Sequence, residues 1–341
     1  MSIPAPVVTV EKISKSYLTG FWRRRFRVLE NLSFSVARNE IVGFLGPNGA
    51  GKTTTIKILN RLAFPDSGKV SLFGEEVGQP GSRRRIGFMP EHPYFYEYLT
   101  GNEFLHLCGH LNGMNRREIG DRSVKMLSRV GLSEAGGTTI RKYSKGMMQR
   151  LGLAQALLHD PELVILDEPM SGLDPMGRLE VRNMIRELKS AGKTVFFSSH
   201  IISDVETLCD RVIMIHRGRK VAEGSVEELV GGKGVRYVEV TFSPVPPQSW
   251  LTSVHLPVET GFIQGNTYVL KAKDDDESNL WIERFRGVGS HVRSYLPAKK
   301  RLEDIYVEQM AGSEAETALK ESYLRKVEKN TRDGKVASNG E

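Results

Sequence analysis

Residues 46–55, GPNGAGKTTT, constrain the fold more than any other part of the sequence. They match the pattern G-x-x-x-x-G-K-[ST], in which backbone amides and the lysine surround phosphates while the hydroxyl binds Mg²⁺. Gly46, Gly49 and Gly51 permit a tight turn because glycine has no Cβ. The apolar run before them predicts a buried strand, and the segment after them predicts a helix whose N-terminus faces the phosphates. The sequence therefore predicts a nucleotide site that uses Lys52 and Thr53, with a ligand-free glycine turn as the alternative.

A second motif for phosphate chemistry is LVILDEP, residues 163–169. Asp167 follows four apolar residues, so we expect it at the carboxyl edge of the sheet, beside the glycine loop. A carboxylate there can hold the Mg²⁺ shell, and Glu168 can polarise a water for attack on a γ-phosphate. An acidic pair after a strand can be an ordinary loop, but in one chain with the glycine loop it predicts nucleotide hydrolysis.

The segment YSKGMMQRL, residues 143–151, predicts a second anion site. Ser144 is placed as the N-cap of a helix, Gly146 exposes backbone amides, and the helix dipole presents its positive end. Because the glycine loop already serves the nucleotide of its own subunit, the segment suggests a γ-phosphate that arrives from another subunit. A plain N-capped helix is the alternative for this segment taken alone.

The first 230 residues alternate strand-like apolar runs with helix-like segments, which predicts an α/β fold. The runs IVGFL, LVILD and TVFFSSH are apolar throughout, as expected for parallel strands covered on both faces. RVIMIHRGRKVAEG predicts two strands joined by a turn at Arg217-Gly218, and hence antiparallel strands at an edge of the sheet.

Composition favours a protein of the reducing cytoplasm. The net charge is +7, but 48 basic and 41 acidic residues are intermixed. The densest basic cluster, FWRRRFR at 21–27, fits a membrane surface, a phosphate ligand, or a hairpin whose aromatic residues pack inward. No apolar run is long enough to span a bilayer, and the N-terminus lacks the basic and apolar regions of a signal peptide. Cys108 and Cys209 have neither a disulfide framework nor zinc-ligand spacing.

With these motifs in this order, residues 5 to about 230 resemble the nucleotide-binding domain of ATP-binding cassette (ABC) transporters. GPNGAGKTT is similar to the family's phosphate loop, LVILDEP to its acidic strand, YSKGM to its signature motif, and SGLDP at 171–175 to its D-loop, which crosses the dimer interface. SSH puts His200 in the family's switch position. The resemblance implies the P-loop NTPase fold of ABC nucleotide-binding domains, a mixed sheet with a helical subdomain, and a small C-terminal α+β domain.

The resemblance also implies the residues of an ATP site. His200 would contact the γ-phosphate and act with Glu168 in hydrolysis. Tyr17 lies where the family's aromatic residue stacks on adenine, with a core tyrosine as the alternative. Thr53, Asp167 and Glu91 are expected at Mg²⁺. The expected nucleotide contacts are Tyr17, Gly46, Asn48, Gly49, Gly51, Lys52, Thr53, Thr54, Ser144, Gly146 and Asp174.

Two places depart from the family's pattern. Glu91, in IGFMPEHP, stands where the family usually has a glutamine, and it adds negative charge near a triphosphate. Lys145 and Met147 stand where the usual signature has glycine and glutamine. YSKGMMQRL and PEHPYFYEYLTGNEFL look most like the ATPase subunits of ABC-2-type exporters, which carry drugs, polysaccharides, lipids or ions.

One phosphate loop and one signature motif per chain imply a head-to-tail dimer, expected to be of identical chains, with two composite ATP sites. The implied partner is a separate permease, with this chain peripheral at the cytoplasmic face of the cell membrane. Phe95, Tyr96 and Tyr98 lie in the segment that meets a permease helix in this family. No nucleic acid partner is expected. The alternatives are a soluble ABC ATPase acting on ribosomes or nucleic acid, an importer ATPase, or a module that binds ATP without turnover, against which Glu168 and His200 argue.

Glycines 231, 232 and 234 predict a linker between two domains. We expect an ABC-type ATP-binding domain over 5–232, a helical subdomain at about 92–160, a small α+β domain over 233–312, and a charged, disordered tail over 313–341. In the small domain, VRYVEVTF and TYVLKA predict strands, while NLWIERFRG and KRLEDIYVEQM predict helices.

Overall fold

The structure, a computed structural model, describes residues 6–19, 24–231, 236–254, 261–299, 302–303 and 305–306. The chain divides into two units, Met1–Val226 and Glu227–Glu341. Glycines 232 and 234 of the predicted linker, the tail predicted from 313, and residues 21–23 of the arginine-rich segment lie outside the described residues. So does most of the helix predicted from KRLEDIYVEQM, of which residues 302–303 and 305–306 are helical.

The first unit alternates strands and helices along the chain. Its described strands are β1 (Val8–Thr19), β2 (Arg24–Val36), β3 (Ile41–Leu45), β4 (Ser67–Leu72), β5 (Glu75–Glu76), β6 (Ile86–Met89), β7 (Leu163–Leu166), β8 (Thr194–Ser199), β9 (Arg211–His216) and β10 (Arg219–Ser225). Its described helices are α1 (Lys52–Leu59), α2 (Pro80–Arg83), α3 (Gly101–Leu111), α4 (Arg116–Arg129), α5 (Lys145–Leu157), α6 (Pro175–Ser190) and α7 (Ile202–Leu208). Helix α8 (Val226–Gly231) begins at Val226, the last residue of the first unit.

The central sheet has the strand order β10-β9-β3-β8-β7-β6 within the described residues. All neighbours are parallel except β10, which pairs antiparallel with β9, so the predicted antiparallel edge is confirmed. β3, β7 and β8 are buried at every position, because their apolar runs are covered on both faces. β3 and β7 end at the same edge of the sheet, and this brings the glycine loop and the acidic pair together.

A second sheet, with the order β2-β1-β4-β5 in the described part, packs over the central one. Three phenylalanine rings join the two sheets: Phe34 of β2, Phe44 of β3 and Phe196 of β8, with centroids 5.3 to 5.7 Å apart. Each ring is almost fully buried, which contributes roughly 1.5–3 kcal/mol per side chain to stability. This shared core fixes the phosphate loop between the sheets.

Helices α3, α4 and α5 lie between β6 and β7 in sequence, and each begins at a side-chain cap. Thr100 and Glu103 form a reciprocal capping box at α3, and Asn115 accepts from the Glu118 N–H at α4. The Ser144 hydroxyl accepts from the Met147 N–H at 3.2 Å, which confirms the predicted N-cap of α5.

The second unit contains β11 (Arg236–Ser243), α9 (Gln248–Ser253), β12 (Gly261–Gln264), β13 (Thr267–Ala272), α10 (Asp275–Gly287) and β14 (His291–Lys299). Its described strands form an antiparallel sheet in the order β12-β13-β11-β14. This βαββαβ order is the ferredoxin-like arrangement. Phe285 of α10 stacks on Phe242 of β11 at 4.0 Å and meets Trp250 of α9 at 5.0 Å. The strands predicted from VRYVEVTF and TYVLKA and the helix predicted from NLWIERFRG are confirmed.

None of the helices in the described ranges has both the length and the apolar character needed to cross a bilayer.

Candidate active site

The phosphate loop runs from the end of β3 into α1. A Cβ added to Gly46 would lie 2.5 Å from the Ile215 carbonyl oxygen. Gly51 has φ +106°, and a Cβ there would lie 2.5 Å from Leu29. Gly49 has φ +81°, yet nothing lies within 4 Å of its would-be Cβ. The loop is therefore packed tightly against the core on one side and open at Gly49, where an approaching phosphate would meet bare backbone.

Lys52 is the first residue of α1 and is only 6% exposed. Its Nζ donates to the carbonyl oxygens of Gly46 at 2.7 Å and Pro47 at 3.3 Å, and lies 3.2 Å from Glu168 Oε1. No acidic residue occupies the first turn of α1, so the positive end of its dipole is not neutralised there. The Lys52 amine and the N-terminus of α1 together present positive charge that suits a phosphate group.

Asp167 follows β7 and is 2% exposed. Its Oδ1 accepts from the Ser198 hydroxyl at 2.6 Å, and the Thr53 hydroxyl also hydrogen-bonds to this carboxylate. Burial raises the pKa of Asp167, and the nearby charges of Glu91 and Glu168 raise it further, against the lowering effect of the two hydroxyl bonds. The hydroxyls of Ser198 and Thr53 therefore only partly offset the effects of burial and of the neighbouring carboxylates on ionised Asp167.

Glu168 connects the lysine and the histidine. Its Oε2 lies 2.9 Å from His200 Nδ1, while Oε1 contacts Lys52 as an ion pair. Its backbone has φ +49°, a conformation that non-glycine residues rarely adopt and that occurs at functional sites held by their surroundings. The Glu168 N–H donates to Ser198 Oγ at 2.9 Å, and the Ser171 N–H donates to the Glu168 carbonyl at 3.0 Å.

Two contacts in this region involve residues that sequence reasoning missed. Ser198, on β8 beside β7, binds both Asp167 and Glu168 through one hydroxyl. Gln149 of α5 is buried and donates to the Pro169 carbonyl at 3.0 Å. A polar residue inside the apolar run TVFFSSH could have pointed to Ser198. An amide on the inner side of a helix could have pointed to Gln149, because a buried amide needs a hydrogen-bond partner.

The start of the signature segment makes no bond to Lys52 or Glu168 in the described residues. The Ser144 and Gly146 positions begin α5, and in the described part of the chain no hydrogen bond or ion pair joins them to Lys52 or Glu168. A Cβ added to Gly172 would lie 2.4 Å from Lys145 Nζ, so the Lys145 side chain lies directly over Gly172. The bonds that join Lys52, the acidic pair and His200 in one chain therefore do not include Ser144 or Gly146 among the described residues.

The remaining predicted site residues lie on β1, in the phosphate loop, on α1 and at the N-cap of α6. Tyr17 is an exposed residue of β1 with Lys15 Nζ 5.3 Å from its ring centroid. Asn48 is exposed, and Thr54 is half-buried on α1. Asp174 caps α6 by accepting from the Gly177 N–H at 2.9 Å.

The donors present fit a Mg²⁺ ion that is shared with a nucleotide. Thr53 and Asp167 already share a hydrogen bond, and Glu91 lies close enough to raise the Asp167 pKa. The described residues contain no group of three or more His, Cys, Asp or Glu side chains that could hold a metal by themselves. Mg²⁺ is usually held by one or two carboxylates together with waters and substrate phosphates, so this sparse set suits it.

We expect Asp167→Asn to stabilise the ligand-free chain at neutral pH. Because folding raises the pKa of Asp167, its ionised form destabilises the fold above the folded-state pKa, and this cost is lost as the pH falls toward the unfolded-state pKa. The amide removes the charge and keeps an oxygen for the Ser198 hydroxyl. By calorimetry, the variant should melt at a higher temperature than wild type at neutral pH, and this difference should shrink as the pH falls.

Asp160→Asn is the matched control for that measurement. An ion pair with Lys193 at 2.7 Å lowers the pKa of Asp160, so its charge stabilises the fold above the unfolded-state pKa and this gain is lost as the pH falls. This variant should melt lower than wild type at neutral pH. Equal melting temperatures for Asp167→Asn and wild type at neutral pH would contradict the prediction.

Comparison with known proteins identifies the family. Residues 29–171, which include the glycine loop, the signature segment and the acidic pair, match the family model for "ABC transporter". An uncharacterised ABC transporter ATP-binding protein of Nostoc sp., all4389, is 47% identical over 68% of this chain and 70% of its own length. The bacitracin transport ATP-binding protein BcrA of Bacillus licheniformis is 36% identical over 83% of this chain and 92% of its own length.

Solved structures show the same fold. A dimeric ATP-binding cassette, MJ0796, in a post-hydrolysis state bound to ADP and Pi, superposes with a TM-score of 0.60 at 24% identity, over 64% of this chain and 98% of the cassette. The match to all4389 extends over more than two thirds of both chains. The chain belongs to the ABC transporter family as an ATP-binding subunit with an ABC ATPase domain.

Proposed function

We propose that this chain hydrolyses ATP as one half of a head-to-tail dimer that drives a separate membrane permease of the ABC-2 export type. The observation that carries the proposal is the division of the site within one chain. Glu168 contacts both Lys52 and His200, whereas Ser144 and Gly146 stand at the start of α5 with no bond to these residues in the described part of the chain. A twofold axis completes two such half-sites at once.

In its own half of the site, the chain supplies the phosphate loop and the general base. Lys52 exchanges its bonds to the Gly46 and Pro47 carbonyls for phosphate oxygens. Glu168 then loses its cationic partner and is left to polarise the attacking water, a role in which a positioned carboxylate contributes about 10²- to 10⁴-fold. His200, held at Nδ1 by Glu168, offers its other ring nitrogen to the γ-phosphate.

The metal belongs to the same half. Thr53, Asp167 and Glu91 would hold the Mg²⁺, which would neutralise phosphate charge when bound. Burial raises the Asp167 pKa, the charges of Glu91 and Glu168 raise it further, and a bound cation would favour the ionised carboxylate against both effects. Tyr17, exposed on β1, stacks on the adenine.

In the partner's half, α5 provides Ser144 and Gly146 at its positive end, where a γ-phosphate binds favourably. The same helix is tied to the catalytic loop of its own chain, because Gln149 binds the carbonyl of Pro169, next to Glu168. Binding at one composite site is thereby linked to the geometry of the other.

The permease contact is assigned to the loop that follows β6. Tyr94 is 94% exposed, and Tyr96 and Tyr98 are also exposed, with ring centroids 5.9 Å apart. Phe95 packs edge-on against Phe104 of α3 at 5.0 Å, so it anchors the loop. Exposed tyrosines are enriched at protein interfaces, and their ring faces suit a permease helix at the cytoplasmic side of the membrane.

Export is supported by the relatives' names, which include bacitracin transport, daunorubicin resistance and Nod factor export. The alignment with BcrA covers 293 residues, so it extends beyond the 226 residues of the first unit. The alignment with this bacitracin transport ATP-binding protein therefore includes part of the second unit.

The composite site is tested by ATP-driven dimerisation of the purified Glu168→Gln chain, followed by light scattering. The substitution blocks hydrolysis and keeps ATP bound. We therefore expect the molar mass in solution to double with ATP and Mg²⁺, and the chain to remain a monomer without ATP. Adding Ser144→Arg should abolish the dimer, because the larger cation obstructs the partner's γ-phosphate. Ser190→Arg, at an exposed serine whose hydroxyl bonds only within α6, is the control and should leave the dimer intact. A monomer at every ATP concentration would contradict the proposal.

A further inference from the structure

The arginine-rich segment belongs to a projecting two-stranded arm. β4 pairs with β1 only as far as Ser14, whereas β1 and β2 stay paired beyond it, up to Thr19 opposite Arg24. We call residues 15–19 and 24–27 the β1–β2 arm. A two-stranded ribbon is marginally stable by itself in water, so its exposed surface favours a partner.

The arm has two faces, and the pairing assigns its side chains to them. Residues directly opposite in an antiparallel pair project to the same side. Leu18 lies opposite Arg25, and Ser16 lies opposite Arg27, which places Leu18, Arg25 and Arg27 on one face. We call this set the Leu18 face.

Tyr17 and Phe26 are paired on the other side of the arm. Phe26 is 60% exposed and Tyr17 is also exposed. The face that would stack on adenine is therefore distinct from the Leu18 face.

The Leu18 face combines exposed apolar surface with net positive charge. Leu18 is 54% exposed, and Arg25 and Arg27 are exposed. Arg27 pairs with Glu30, which also binds Arg219, whereas Arg25 makes no ion pair with any described residue. The sequence from residue 15 to residue 27 contains five cationic residues and no acidic one. The face therefore attracts an anionic surface and has apolar area to bury against it.

We propose that the Leu18 face binds the anionic phospholipid headgroups of the membrane surface. Arginine heads pair with lipid phosphates while leucine and the arginine stems enter the interfacial layer, and each cation near an anionic leaflet adds to binding. The proposal rests on the proposed function, which brings the subunit to the membrane. The permease contact at Tyr94 and the lipid contact at Leu18 then orient the subunit at two separate points.

The experiment is cosedimentation of the full chain with vesicles of phosphatidylcholine containing phosphatidylglycerol, and with phosphatidylcholine alone. Wild type should bind the anionic vesicles, and added salt should weaken that binding. Arg25→Gln/Arg27→Gln should lower the partition coefficient about 30-fold, and Leu18→Ser should lower it further. The control Arg116→Gln/Arg117→Gln removes the same charge from exposed positions at the start of α4, and should change the coefficient by less than about twofold. Glu30 keeps Arg219 in the arm variant, so its melting temperature should match wild type.

Three results would overturn the inference. An equal loss of vesicle binding in the arm variant and the control variant would show that binding depends only on the net charge of the chain. Tighter binding to single-stranded RNA than to anionic vesicles at the same salt would assign the arm to nucleic acid. A higher KM for ATP with unchanged vesicle binding would assign it to the nucleotide. Vesicle binding that depends on the arm in a chain without ATPase activity would support the inference and contradict the proposed function instead.

Discussion

Glu168→Gln is expected to lower kcat for ATP hydrolysis by about a hundredfold to ten-thousandfold and to change KM by less than about threefold. The amide cannot take a proton from the attacking water, but it keeps the shape of the side chain and an acceptor for His200 Nδ1. Lys52 loses one ion pair and retains the Gly46 and Pro47 carbonyls in the free chain. Binding of ATP is thus preserved while the chemical step is removed. Steady-state phosphate release together with equilibrium ATP binding measures the two effects separately.

Glu91→Gln is the matched control, because it also neutralises one carboxylate that acts on Asp167. It introduces the residue that the family usually has at this position. We expect kcat to stay within about threefold of wild type, since our proposal assigns Glu91 to the metal rather than to the attacking water. Retention of more than about a tenth of kcat by Glu168→Gln, or an equal loss in both variants, would show that another group acts as the base.

The parts of the site that lie close together in sequence were predictable from it. The glycine loop, Lys52 and Thr53 form one unit because a strand end, a tight turn and a helix start impose their geometry locally. Asp167 was predictable at the same edge, because parallel strands end together and LVIL is uniformly apolar. The resemblance to the ABC family added His200, and the structure places His200 Nδ1 2.9 Å from Glu168.

Contacts between distant segments were not predictable in the same way. Ser198 binds Glu168 across 30 residues of sequence, and Gln149 reaches Pro169 across 20, so neither pairing leaves a local pattern. The positive φ of Glu168 likewise results from bonds to Ser198 and Ser171, whose positions depend on neighbouring strands and turns.

The second unit shows a similar division. β11 and β13 were predicted from their sequence alternation of apolar and polar residues, although Tyr268, Val269 and Leu270 of β13 are all buried, and α10 has a buried stripe that includes Trp281 and Phe285. β12 is only four residues long, and β14 contains Pro297, which weakens a strand prediction because proline lacks an N–H. Both strands lie at the edges of the sheet, where proline and short length are tolerated.

An equal mixture of Lys52→Ala chains and Ser144→Arg chains is expected to recover ATPase activity that neither chain has alone. In a head-to-tail dimer, each site takes Lys52 from one chain and Ser144 from the other. A mixed dimer therefore places both substitutions in one site and leaves the second site complete. A mixed dimer has one of its two sites intact, so if the sites turn over independently we expect about a quarter of wild-type activity when the chains pair at random, and up to about half when the mutant homodimers do not form. Phosphate release and ATP-dependent light scattering of the mixture measure the recovery.

Mixing Lys52→Ala with Glu168→Gln gives the decisive control. Both residues belong to the same half of the site, as their 3.2 Å ion pair within one chain indicates. In the mixed dimer one site then lacks the lysine and the other lacks the base, so no complete site forms and no hydrolysis should be recovered. Complementation by Ser144→Arg but not by Glu168→Gln would place Ser144 alone across the subunit boundary. Recovery in both mixtures, or in neither, would contradict a site built from Lys52 and Glu168 of one chain and Ser144 of its partner.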